Sequence, residues 1–98
     1  MYWLLYDISD TGKRNKMVRL CKDYGLSRIQ KSCFAGEMLS IKVELFKEKV
    51  KGLVSEGDSV VMFPMIDNMM EKMIEWGESK VSRQIKKEGV YCCGQAFL

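Results

Sequence analysis

Asp7 is the first residue of this sequence whose setting suggests chemistry. It closes an apolar run, Tyr2-Trp3-Leu4-Leu5-Tyr6, and is followed by Ile8 and the turn-forming Ser9-Asp10-Thr11-Gly12. A carboxylate at the edge of an apolar run needs a hydrogen-bond partner, a cation or a metal, and strand ends frequently carry functional residues. Two readings stand. In one, Asp7 bonds the turn amides of Ser9 or Asp10, as Asx-turns do. In the other it is a catalytic, metal-ligating carboxylate. One carboxylate is thin for an enzyme, but two copies of the chain about a twofold axis would bring two Asp7 side chains to one site. An oxygen-rich site of that kind suits Mg²⁺ or Mn²⁺, and the metal would activate water and neutralise charge on a scissile phosphate. Ser9 and Asp10 are supporting candidates, as ligands or through water.

The sequence contains no histidine. That excludes a Ser-His-Asp or Cys-His nucleophile, an imidazole base and a zinc site with His ligands within the chain. The four cysteines are Cys21, Cys33, Cys92 and Cys93, and no two have C-x-x-C spacing. A disulfide between adjacent Cys92 and Cys93 would be strained, and Cys21 and Cys33 read as small core residues. Any catalysis must then rest on carboxylates, cysteine, lysine, tyrosine or a metal bound through oxygen.

Charge is unevenly placed. Residues 1–36 hold seven Lys/Arg against three Asp, a local +4, while the remainder sums to −1, so the overall +3 belongs to the first third of the chain. Lys13, Arg14, Lys16 and Arg19 crowd the start of a helix just after Asp7. Helix N-terminal amides and basic side chains together favour phosphate, which makes these four the candidate nucleic-acid contacts; the other reading is a solvated basic helix face. No aromatic residues interleave with them, so base stacking is not indicated.

These residues need elements to hold them. Hydrophobic and charged fractions of 47% and 30% are those of a packed domain rather than a disordered chain. Residues 2–8 read as a strand apolar on both faces, and hence buried on both. Residues 13–24 are helical, with Met17, Leu20, Cys21 and Tyr24 at i, i+3, i+4 and i+7 and Gly25 as the stop. Residues 26–34 alternate as a second strand, with Arg28, Gln30, Ser32 and Phe34 on one face. Residues 39–54 form a helix with the stripe Leu39, Val43, Phe46, Val50, Leu53 and Val54, and 59–63 a strand ending at Pro64. A short helix over 67–76, capped by Asp67, and short strands at 81–85 and 90–93 follow. The Met62–Met73 methionines read as core or interface packing.

This order predicts an α+β, ferredoxin-like β-α-β-β-α-β sandwich with both helices on one face of the sheet. The third strand is either a short extension after residue 34 or the strand after the second helix. With no second layer to spare, a second copy is the simplest cover for the open face, which predicts a homodimer packed sheet to sheet. The opening residues lack a basic segment and their apolar run is too short for a signal peptide or a membrane span. A cytoplasmic protein with reduced thiols is expected.

Tyr6-Asp7-Ile8-Ser9-Asp10, Lys13-Arg14, Tyr24-Gly25-Leu26 and Arg28-Ile29-Gln30-x-Ser32-x-Phe34, in this order and spacing, closely resemble the small adaptation subunit of CRISPR systems, the family numbered second in the CRISPR-associated series. Residues 2–38 carry most of the likeness, Asp58–Phe63 resembles a later strand, and 67–98 match poorly. The resemblance implies a ferredoxin-like homodimer that works in spacer acquisition for antiviral defence, bridges dimers of the CRISPR integrase subunit and lies along duplex DNA. Several family members are described as metal-dependent endonucleases on single-stranded RNA or double-stranded DNA, with the aspartate matched by Asp7 as the metal residue of each protomer; others act as scaffolds. Arg14 and its neighbours match the region that touches nucleic-acid backbone, and Arg28, Gln30, Ser32 and Phe34 match support positions beside the dimer axis. The expected division is a core of residues 1–80 and an extension of 81–98 that forms strands at a dimer or partner interface. A regulatory or metabolite-binding ferredoxin-like dimer is a third reading, weakened by the basic helix.

Overall fold

A computed structural model describes residues 1–77. The chain runs β1 (Tyr2–Asp7), α1 (Thr11–Asp23), β2 (Ser27–Gln30), β3 (Cys33–Gly36), α2 (Ser40–Lys51), β4 (Ser59–Pro64) and the five-residue α3 (Asp67–Glu71). The strands form one antiparallel sheet in the order β2-β3-β1-β4. This is the β-α-β-β-α-β arrangement read from the sequence.

The open question of the third strand is answered by a hairpin. Residues 26–34 are not one strand: the chain turns at Lys31 and Ser32, so that β2 and β3 pair Arg28 with Phe34 and Ser27 with Ala35, with a register shift between Arg28 and Gln30. The alternation of residue types continues across the turn, which hides it from a periodicity argument. Other bounds move less. Helix α1 starts earlier than residue 13 because Asp10 caps it, accepting from the Lys13 amide at 2.8 Å. Helix α2 starts after Leu39, which is extended and 68% exposed rather than part of the core stripe, and Val54 also lies past the helix end. The helix expected over 67–76 is confined to α3. The candidate strands at 81–85 and 90–93, Cys92, Cys93 and the extension 81–98 lie outside the described residues.

Both helices pack on one face of the sheet. Leu4, Tyr6 and Ile8 of the β1 segment meet Met17 and Cys21 of α1, Phe34 of β3 and Phe46 of α2 in one buried cluster. Tyr24 and Phe46 join the helix layer, ring centroids 5.3 Å apart. Helix α1 ends in a Schellman arrangement: the Leu26 amide reaches the Cys21 carbonyl at 2.9 Å and Gly25 takes φ +87°. The end of β3 presses on this bend, since a Cβ at Gly36 would lie 3.0 Å from the Gly25 carbonyl oxygen.

The open face departs from the expectation of uniform burial. Trp3 is buried, but by its own chain: Met1, Phe63, Met65 and Met73 pack around it with Ala35. The segment after β4 therefore supplies cover at one end of the face. Toward the other end Leu5 and Val61, register partners on β1 and β4, remain 43% and 55% exposed. No helix among the described residues is long and apolar enough to cross a membrane.

Phe46 is fully buried whereas its neighbour Leu45 is 53% exposed. In urea denaturation, Phe46→Ala is expected to remove about 3–5 kcal/mol of stability, and Leu45→Ala less than about 0.5 kcal/mol.

Candidate functional site

Asp7 is the last residue of β1, where the ladder to β4 pairs it with Ser59. Strand alternation puts it on the open face with Trp3 and Leu5. The carboxylate is exposed and takes no hydrogen bond or ion pair among the described residues. The turn-capping reading of Asp7 is not what the chain does, because two other carboxylates hold the turn. Asp10 caps α1. Asp58, from the loop between α2 and β4, accepts from the Ser9 amide at 3.1 Å and the Ser55 amide at 3.0 Å. Ser9 and Asp10 are thus placed as parts of the turn that ends β1, and Asp7 is left over from it.

Three basic residues converge on the side of β1 away from β4. A cleft of about 360 Å³ is floored by Tyr6, Ile8 and Val18, with Asp7, Arg14, Asn15, Arg28, Lys31 and Ser32 as its polar lining. The Arg14 guanidinium donates to the Ile8 carbonyl at 3.4 Å and to the Thr11 hydroxyl at 3.1 Å. The Arg28 guanidinium donates to the Lys31 carbonyl at 2.8 Å and lies 5.8 Å from the centroid of the Phe34 ring. Phe34 is itself fully buried and stacks on Tyr6 at 6.2 Å, so its support is a floor beneath Arg28 rather than a surface contact. Gln30 closes β2 at the register shift.

The four basic residues expected to act together do not share one face. Only Arg14 reaches the cleft beside Asp7. The Lys13 ammonium donates to the Ser55 hydroxyl. Lys16 and Arg19 line a separate groove of about 340 Å³ between α1 and α2, with Leu20, Asp23, Lys49 and Leu53. Helical spacing explains the split: residues 14 and 18 lie on one flank of α1, and 16, 19, 20 and 23 on the other. Lys31, Asn15 and Asp58 are the site residues that the sequence did not single out. The adjacent polar pair Lys31-Ser32 was the available signal for the hairpin turn.

The cysteines fit the core assignment. Cys21 is buried, and burial pushes its thiol up to about 12. The half-buried Cys33 thiol is raised by the same cause. Neither is a ready thiolate. Among the described residues no three His, Cys, Asp or Glu side chains gather as a metal site.

Comparison with known proteins follows the same lines. The family model described as "CRISPR associated protein Cas2" matches residues 1–73. A protein of Korarchaeum cryptofilum named "CRISPR-associated endoribonuclease Cas2" is 36% identical over 81 residues, covering 82% of this chain and 87% of that one. One of the same name from Thermofilum pendens is 42% identical over 55 residues, covering 56% and 59%. The crystal structure of Streptococcus pyogenes Cas2 superposes with a TM-score of 0.66 at 21% identity, over 78% of this chain and 98% of that one, a likeness of fold.

Asp58 gives the site's surroundings a pH dependence. The amides of Ser55 and Ser9, and more weakly the Lys13 charge, hold its carboxyl below the usual carboxylate range. A depressed folded-state pKa contributes stability that is complete above the unfolded pKa and is lost as pH falls through the folded one. The stability gap between the wild type and Asp58→Asn should therefore be full at about pH 7 and shrink toward about pH 3. A gap in urea denaturation that stays constant over that range would contradict the assignment.

Proposed function

The chain belongs to the CRISPR-associated Cas2 family, and from that premise we propose that it is a metal-dependent endonuclease of spacer acquisition. The observation that carries this reading is the position of Asp7: a carboxylate freed from turn duty by Asp10 and Asp58, at the mouth of a cleft with three cations. The names of the relatives point to RNA, so single-stranded RNA is the first substrate and duplex DNA the second.

The active unit in this reading is a homodimer. The bare apolar pair Leu5 and Val61 lies on the same face as Asp7 and one pleat step away along β1. A second copy seated there buries those side chains and brings the two Asp7 carboxylates toward each other. An exposed, unpartnered carboxylate from each protomer fits a hard divalent cation, Mg²⁺ or Mn²⁺. When bound, such an ion neutralises phosphate charge and lowers the pKa of water. The chain's own residues do the rest. Asp7 supplies the oxygen ligand, and Arg14 and Arg28, each held on a backbone carbonyl, present their remaining N–H groups to phosphate oxygens. The absence of histidine leaves no imidazole to share the proton transfers.

A second reading is a scaffold that holds duplex DNA and bridges the integrase subunit without cleaving. The placement of Lys16, Arg19 and Lys49 around their own groove, apart from Asp7, favours it. One dimer has room for both roles.

The test is RNA cleavage by purified wild type and Asp7→Asn, with Mg²⁺ and with chelator, alongside light scattering. The wild type should be a dimer and should cleave only with metal. Asp7→Asn should remain a dimer and lose about a hundredfold or more in rate. Cleavage unchanged in Asp7→Asn removes the carboxylate from the mechanism, and a monomeric wild type removes the shared site.

A further inference from the structure

The turn between β2 and β3 carries Lys31, the one cation of the cleft to which the nuclease reading assigns no contact. We propose that Lys31 is a positioning residue of the Asp7 cleft, gripping a phosphodiester of the bound strand together with Arg14 and Arg28. The inference rests on the nuclease reading and adds to it the means by which the strand is held.

The turn is fixed by side chain and main chain together. The Lys31 carbonyl receives the Tyr6 hydroxyl at 3.1 Å and the Arg28 guanidinium at 2.8 Å. The neighbouring Ser32 carbonyl receives the Tyr6 amide at 3.1 Å. Tyr6 is the residue before Asp7, and its hydroxyl and amide reach consecutive residues of the turn. The Lys31 stem therefore leaves from a point set relative to Asp7, and only the outer methylenes and the ammonium are free to search.

The charges lining the cleft do not cancel. Arg14, Arg28 and Lys31 line the cleft, and Asp7 is the one acidic residue among its lining residues. None of the three forms an ion pair with a carboxylate among the described residues. Both guanidinium groups are tied to neutral carbonyl oxygens instead, so their charge is oriented but not spent. A space of about 360 Å³ with an excess of fixed cations suits a phosphodiester group. Lysine offers a point charge without the directional fork of arginine, which suits a backbone contact that is indifferent to base sequence. A turn lysine of no function would be solvated and would leave strand affinity unchanged.

Binding is the deciding measurement, because it does not require cleavage. Lys31→Ala and Lys31→Arg are made in Asp7→Asn, and anisotropy with a single-stranded RNA oligonucleotide is followed over a salt series without divalent cation. Lys31→Ala should weaken binding about three- to fivefold at low salt and flatten the slope of log affinity against log salt by about 0.7; Lys31→Arg should restore both. In the otherwise wild-type enzyme, Lys31→Ala should raise KM more than it lowers kcat. Unchanged affinity and slope in Lys31→Ala, or a loss that Lys31→Arg does not restore, overturns the proposal while leaving the role of Asp7 standing. Cleavage unchanged in Asp7→Asn removes the carboxylate from the mechanism and leaves the binding result to be judged on its own.

Discussion

Strand β1 is hydrogen-bonded along both edges, to β3 over residues 2–5 and to β4 over its whole length. That double pairing is the constraint on which the rest of the structure depends. A strand so placed has both edges inside the sheet, and its two faces differ: Leu4 and Tyr6 are buried toward the helices, while on the other face Trp3 is covered and Leu5 remains 43% exposed. Because its neighbours run antiparallel, both deliver a loop to its far end. The β2–β3 turn arrives on one side and the α2–β4 loop on the other, while α1 departs from the middle. The site is where these three connections meet.

The meeting also explains why Asp7 is available. Three carboxylates crowd the end of β1, and two have structural work. Asp10 accepts from the Lys13 amide in the first turn of α1, and Asp58 ties the loop before β4 to the turn after β1. Asp7 is the one the fold does not consume. On the other flank, Tyr6 and Arg28 spend their donors on a single carbonyl of the β2–β3 turn. Rigid support lies underneath, with Phe34 stacked on Tyr6 and lying beneath Arg28.

Much of this was legible in the residues. The strand ending at Asp7, the helix stopped at Gly25 and the apolar stripe Val43, Phe46, Val50 all follow from local spacing, because each element buries one face against a common core. The hairpin was not legible, since alternation passes unbroken through Lys31 and Ser32 and a two-residue turn without glycine leaves little mark on it. The same blindness hid Lys31 as a site residue. The basic cluster of α1 was legible as composition but not as geometry. Four cations within seven positions span more than one face of a helix, and tertiary packing decides that Arg14 meets Asp7 while Lys16 and Arg19 meet Lys49. The cover of Trp3 by Met65 and Met73 joins residues about sixty to seventy positions apart, which no local pattern encodes.

In the proposed function nucleic acid engages the cleft at the end of β1 beside Asp7, with the α1–α2 groove as a separate surface. Backbone amide chemical-shift mapping of the labelled 98-residue protein, titrated with a short single-stranded RNA, tests this. The first and largest perturbations should fall on Tyr6–Ile8, Arg14, Arg28 and the Lys31-Ser32 turn. Perturbations confined to Lys16, Arg19 and Lys49, with the Asp7 region silent, would contradict it.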